Sequence, residues 1–439
     1  MGISYNPSIV TEGVVLGLDP QSTRSYVGSG TTWTDLTNRG NSGTLTNGPV
    51  FIPGGPFNNS GGSVFFDESG DFLSIPTSAD FAIGSGDYTA ECWVYPQSTG
   101  EIIGAFNLNA NFKGWLWSTE FSSAAGRQAI FISDNSSYNT YYSNTAVPQN
   151  QWSHIAFSKV GTTWRFWLNG VLDGSFTDSR NPSDSQQQVN IGADSNSTSS
   201  PGRLWKGFIS NLHVVKGTAL YTSNFTPPTG PLEAIDDTVL LTCQGGAITD
   251  NGPSSHAITV NNDAKAVTAS AFEFDGSNVY AVTSSNTDFL FGTEEFAIEW
   301  WEYFTSGSGD VGHIGVFQLG GSNNTAHIWS AGGSFTGYPG SWQSIAMSPI
   351  SNQWAHYVAT GTSGDIKFYQ NGELKDTKTW DWSATSSTSN FAVGGTPGWS
   401  FGNYAMSGKI SAVRVYKGKS FTEDEVKRNF SALRGRYGI

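Results

Sequence analysis

The chain is poor in cysteine and in charge. Cys92 and Cys243 are the only cysteines in 439 residues. Two are too few for a disulfide framework or a four-cysteine zinc site, so both read as small buried hydrophobes. Asp, Glu, Lys and Arg make up 13% of the chain, against ~25% in typical globular proteins. Positive charge is the scarcer sign, with 22 basic against 36 acidic residues and a net charge of −14. Such a surface repels phosphate backbones and gains nothing from anionic bilayers, so neither nucleic acid nor a membrane is the expected partner. No apolar run is long enough for a membrane-spanning helix. Residues 1–13 (MGISYNPSIVTEG) lack the basic start and apolar core of a signal peptide, so export by a cleaved leader is not expected.

What the chain has in quantity is aromatic and glycine residues. Phe, Tyr and Trp number 28, 16 and 16, and Gly numbers 53. That is enough for more than one core and excludes intrinsic disorder. The chain also repeats itself. DFAIGSGDYTAECWVY (80–95) reads against DFLFGTEEFAIEWWEY (288–303), matching Glu91 with Glu299 and Trp93 with Trp301. Upstream, Phe66-Asp67 matches Phe274-Asp275. Downstream, NQWSHIAF (150–157) matches NQWAHYVA (352–359), and Asn169-Gly170 matches Asn371-Gly372. KGFISNLHVVKG (206–217) closes one copy and SGKISAVRVYKG (407–418) the other. Between the copies, residues 223–232 carry three prolines and no strand period, which reads as a semi-rigid linker. The expected domains are therefore 1–232 and 233–439.

Within each copy, short runs of Val, Ile, Phe, Trp and Tyr alternate with polar residues between Gly, Asn, Asp and Ser. Asn169-Gly170 is a type I′ hairpin signal. With no helical period between the strands, parallel βαβ folds are excluded and a β-sandwich or jelly roll remains. One helix is expected, over 422–434. Thr422 and Glu425 form a capping box, and Val426, Phe430 and Leu433 make one apolar stripe. That stripe either seals a sheet of its own sandwich or docks on a partner subunit.

FDESGDFLSI and FDGSNVYAV, the YTAECW and FAIEWW strands, the two NQW blocks and the hairpins WRFWLNGVLDG and IKFYQNGELKD carry a family resemblance. The chain resembles tandem laminin-G-like, concanavalin A-like jelly-roll modules. Residues 14–49, 216–244 and 427–439 are similar to such modules in bacteriophage virion proteins. The resemblance implies an all-β fold of two tandem antiparallel sandwiches with a short C-terminal helix. It also implies a virion-surface location, as capsid decoration or as a tail or fibre component made in the host cytoplasm. The expected partners are other virion proteins, including further copies of the chain. A carbohydrate-binding adhesin for host-surface glycan is the alternative.

No enzyme is expected. Glycan-cleaving members of this fold resemble one another in acids at period-two spacing on one strand, so that nucleophile and acid flank one bond; the pattern is missing here. Glu299 and Glu302 are odd-spaced and belong to opposite faces. His154 and His356 occupy one shared repeat position, which suits packing. No cofactor is expected. Laminin-G-like modules often hold Ca²⁺ at a rim, which makes Asp67 and Asp194 conceivable ligands in the first domain; the second copy has no acid at the place of Asp194. For a glycan or partner contact, Trp380, Trp382 and Trp399 are the candidates. Trp380 and Trp382 share a strand face in a Ser/Thr-rich stretch, where each must bury against its own sandwich, a neighbour or a sugar.

Overall fold

Period-two alternation of bulky apolar and polar residues drives both halves of the chain into antiparallel sheets, each with one face turned to a core. A computed structural model describes residues 8–57, 61–106, 113–120, 126–134, 137–182, 188–195, 201–306, 311–317, 327–331, 333–337, 343–382, 389–396 and 404–439. They form two compact units. Among the described residues no helix is long and apolar enough to cross a membrane.

The first unit is an uninterrupted stretch, Gly55–Thr268, the inserted unit. Its eight-stranded sheet runs Val171–Thr177, Thr163–Leu168, Ser153–Val160, Tyr88–Pro96, Lys206–Lys216, Ser63–Asp67 and Lys265–Val267, with Thr238–Thr242 also on Lys206–Lys216. The seven-stranded partner sheet runs Tyr138–Ala146, Arg127–Asp134, Lys113–Ser118, Glu101–Phe106, Val189–Ile191, Phe72–Ile75 and Thr259–Asn261. Between them lie Tyr88, Trp115, Trp117, Phe157 and Trp164. Asn169 and Gly170 take φ of 49° and 78°, the left-handed pair that a I′ hairpin requires.

The second unit is split, Met1–Gly54 with Ala269–Ile439. Its eight-stranded sheet runs Glu373–Lys378, Asp365–Gln370, Trp354–Thr362, Phe296–Ser306, Ser407–Lys417, Ala271–Asp275 and Val50–Ile52, with Val14–Leu18 also on Ser407–Lys417. Its other sheet runs from Thr32–Trp33 through Gly43–Thr46, Tyr280–Thr283, Asn390–Val393 and Val311–Phe317 to His327–Ala331 and beyond.

This division differs from the expected break near residue 232. Each repeat is preceded by a short β segment, and the two segments are exchanged. Residues 14–52, which precede the first repeat, complete the second sandwich; residues 238–267 complete the first. The registers agree: Leu16 pairs with Val415, and Leu240 pairs with Val214, the repeat counterpart of Val415. One aspartate knots each segment in the same way. Asp35 accepts from the N–H groups of Gly17, Thr37 and Asn41; Asp250 accepts from Leu241, Gly252 and His256. The proline-rich stretch is no linker between domains. It lies on the inserted unit, where Phe225 N–H donates to Gly170 O at 2.9 Å.

Two further expectations resolve inward. Trp380 and Trp382 are 4% and 2% exposed, packed in the split unit's core against Phe368, with Trp380 Nε1 donating to Gln343 Oε1 at 2.7 Å. They offer no platform to a sugar or partner. The helix, Glu423–Tyr437, starts with the expected capping box and covers its own unit rather than a partner. Tyr437 and Phe430 stack on Trp301 at 3.9 and 5.8 Å, and Val426 and Leu433 are buried. Trp399 lies outside the described residues.

Candidate functional site

The glutamates that the repeats share, Glu91 and Glu299, are closed off. Glu91 points from the outer face of Tyr88–Pro96 into a pocket sealed by the stacked rings of Tyr221 and Phe225. His154 Nε2 and His213 Nδ1 each lie 3.0 Å from its carboxylate, and Tyr221 O–H donates at 2.6 Å. In the split unit the helix replaces that strap. There Arg414 and Asn429 donate to Glu299 at 2.8 Å each, with His356 at 3.5 Å. Burial alone raises both carboxyls; in each case histidine, joined by Tyr221 or by Arg414 and Asn429, overcomes it and holds the group at about 2. His154 and His356, at one shared repeat position, thus each face a buried acid.

A folded-state pKa below the unfolded one stabilises the fold above the unfolded value, and the gain disappears as pH falls through the folded value. Acid unfolding should therefore steepen between pH 4.5, the ordinary carboxyl value, and about 2. Glu91→Gln should flatten that limb in a urea titration of the inserted unit repeated at successive pH values. An unchanged limb in the variant would remove Glu91 from the account.

Glu302 lies on the opposite face from Glu299, as the odd spacing requires, and enters the core. Its Oε1 lies 2.7 Å from His313 Nδ1, whose Nε2 lies 2.8 Å from Ser330 Oγ, while Trp300 Nε1 donates to Oε2 at 2.8 Å. The order hydroxyl, imidazole, carboxylate is that of an activated nucleophile. Access is lacking: Ser330 is 4% exposed, and Phe304 and Phe335 pack against His313. The chain of bonds ties one sheet to the other. The first repeat has Val94, Ile102 and Thr119 at the matching places, so the fold does not demand it. Reading the sequence did not find this group; a charged residue aligned with an apolar one between repeats was the available signal.

Open polar chemistry gathers at one rim, where the exchanged segment meets the turn after the first strand of the repeat. In the split unit Asn47 Nδ2 donates to Asn278 O at 2.6 Å, and beside it lies a cavity of about 350 Å³ walled by Gly48, Val50, Glu273, Asp275, Thr305 and Ser407. In the inserted unit Asn262 Nδ2 makes the matching bond to Ser69 O at 2.8 Å, and Asp67, Asp71 and Asp263 bring one carboxylate oxygen each within 4.8 Å of the others. Asp71 is committed inward, accepting from the N–H groups of Asp263 and Asp67, and burial pushes its carboxyl up. Asp194 is not in this group; it is buried and accepts from Gly202 N–H at 3.0 Å. Both cysteines are free and buried. The hairpin after Asn169-Gly170 leaves Val171 and Leu172 57% and 45% exposed.

A family model described as the concanavalin A-like lectin/glucanases superfamily matches residues 67–220 and 275–427, the two repeats without their exchanged segments. No curated protein matches the chain. Among solved structures it is similar to domains LG4-5 of the mouse laminin alpha1 chain, at 12% identity over 86% of this chain and 94% of that one, with a TM-score of 0.32. A SAP-like pentraxin from Limulus polyphemus matches at 16% identity over 45% and 94%, with a TM-score of 0.31. Domain 4 of AbnA, an arabinanase from Geobacillus stearothermophilus in complex with arabinotriose, matches at 18% over 36% and 75%, with a TM-score of 0.29.

Proposed function

Because the chain belongs to the concanavalin A-like lectin/glucanases superfamily, we propose that it is a non-enzymatic binding protein of a bacteriophage particle. It would sit on the virion surface, as capsid decoration or as a tail or fibre component, and hold its neighbours by surface contact. The superfamily's sandwich serves many functions, so the reading must rest on the site. The observation that supports it is the fate of the acids. Glu91, Glu299 and Glu302 are all spent inside the fold, whereas an apolar hairpin tip, Val171 and Leu172, is left in water. Large exposed apolar side chains on an otherwise polar edge suit a protein contact. Val171→Asp with Leu172→Asp should leave the melting curve unchanged and lower the protein's incorporation into particles at least tenfold, read by immunoblot of purified virions. Normal incorporation would dismiss this contact, and turnover of any polysaccharide by the purified protein would dismiss the non-enzymatic reading.

A second reading, host-surface glycan binding, is favoured by the cavity at Glu273 and Asp275. Acceptor groups beside Val50 and Val279 suit a polyhydroxylated ligand. Retention on a glycan array that disappears in Glu273→Gln with Asp275→Asn would select it.

A further inference from the structure

The two repeats furnish the rim beside Asp67 and Asp275 differently, and the ladder registers fix which residue answers to which. In the inserted unit Asp67 pairs with Lys206 and Phe65 with Lys265; in the split unit Asp275 pairs with Ser407 and Glu273 with Val50. The first repeat thus brings ammonium groups of its own to this place. Lys206 Nζ stands 4.0 Å from Glu68 Oε2, and Lys265 Nζ lies 5.5 Å from the centre of the Phe65 ring. The second repeat has neither lysine. Ser407 and Val50 are shorter, Gly48 takes the place of Asp263, and a carboxylate, Glu273, takes the place of Phe65. All four of these residues line the cavity of about 350 Å³, so the room exists where the first repeat's longer side chains are missing.

Size and charge together describe an occupant. Ligand clefts begin at ~300 Å³, so the cavity has space for one sugar unit. Thr305 and Ser407 offer hydroxyls to it. Lys409 stands 3.9 Å from Glu273 Oε1 and 4.9 Å from the centre of the Tyr303 ring, and is not part of the cavity wall. Asp275 has no basic side chain in ion-pair contact among the described residues; its Oδ1 accepts from Ser277 N–H at 2.8 Å. A neutral sugar would meet this carboxylate with hydroxyls alone. A sugar that carries an amine restores the charge that Lys206 supplies in the first repeat, and makes the stronger, charge-assisted bond.

We propose that the cavity of the split unit binds a glycan unit bearing a free amino group, with its ammonium on Asp275 and Glu273 and its hydroxyls on Thr305 and Ser407. This rests on the glycan reading of the same cavity and adds the chemical class of the sugar.

The probes are β-1,4-linked tetramers of glucosamine, of N-acetylglucosamine and of glucose, which differ only in the group on the second carbon. Each is titrated into the full chain by calorimetry at mildly acidic pH, where the amine is protonated and exposed carboxyls are ionised. The glucosamine tetramer should bind at least ~10-fold more tightly than the other two, the worth of one hydrogen bond to a charged group, and added salt should weaken it. Asp275→Asn should lower its affinity at least ~10-fold. Ser407→Lys, which installs the first repeat's residue, should abolish binding. Circular dichroism checks that each variant is folded; should one fail, the other carries the same test. A glucosamine tetramer that binds no better than the others overturns the proposal, and the glycan reading then stands or falls by the array. A chain that retains no glycan on the array overturns both. Undiminished binding of the glucosamine tetramer by folded Asp275→Asn or Ser407→Lys overturns the proposal as well.

Discussion

A chain that begins at Gly55 will have a folded inserted unit and an unfolded remainder. The missing segment supplies Leu16, Leu18, Tyr26, Trp33 and Leu45 to the split unit's core, none more than 7% exposed. Each large apolar side chain contributes ~1.5–3 kcal/mol by burial, and a whole domain is stable by only ~5–15 kcal/mol. Losing five of them, together with the strand ladders they belong to, exceeds what the unit can spare. Limited proteolysis should yield one resistant fragment starting near residue 55 and ending near 268. Residues 233–439 alone, the unit that the repeat pattern suggests, should show no cooperative melting. A chain joining Gly54 directly to Ala269 should fold, because the two already lie side by side. Gly54 N–H donates to Ser270 Oγ at 3.0 Å, and a Cβ on Gly54 would stand 2.6 Å from the Ala269 carbonyl carbon. Cooperative unfolding of 233–439 alone would show that the exchange is not needed.

The second large effect lies in the Glu302, His313 and Ser330 chain. Glu302→Val or His313→Ile alone should destabilise the split unit by ~3–5 kcal/mol, because each leaves a buried partner uncompensated. The double substitution installs the residues that the first repeat carries at those places, Val94 and Ile102. It should lie within ~1 kcal/mol of the wild type or above it, since an apolar replacement of a whole buried pair is often neutral or stabilising. The coupling energy from the four denaturation curves is the measurement. Additive losses would mean that the two side chains do not act as a pair.

The local features were legible because their causes are local. Alternation in residues 88–95 predicts a strand whose faces diverge, and Glu91 and Cys92 do point opposite ways. Asn169-Gly170 and Asn371-Gly372 take left-handed φ because the hairpin twist demands it. Thr422 and Glu425 cap the helix within one turn. The two tryptophans of 380–382 mark the limit of this reasoning: period two places both on one face and cannot say whether that face looks to water or to Phe368. The Glu91 cluster was illegible for a different reason, since its members stand at 91, 154, 213 and 221 and only sheet pairing brings them together.

From the order of residues alone follow the duplication, the all-β character, the hairpins and the single helix, since propensity and periodicity act over a few neighbours. Tertiary structure alone decided which sandwich each preceding segment completes. Residues 14–52 and 238–267 present the same register and the same aspartate knot, so these local features do not tell the two segments apart. It also decided which acids reach solvent, because burial is set by what packs on top: the Tyr221–Phe225 strap over Glu91 and the helix over Glu299.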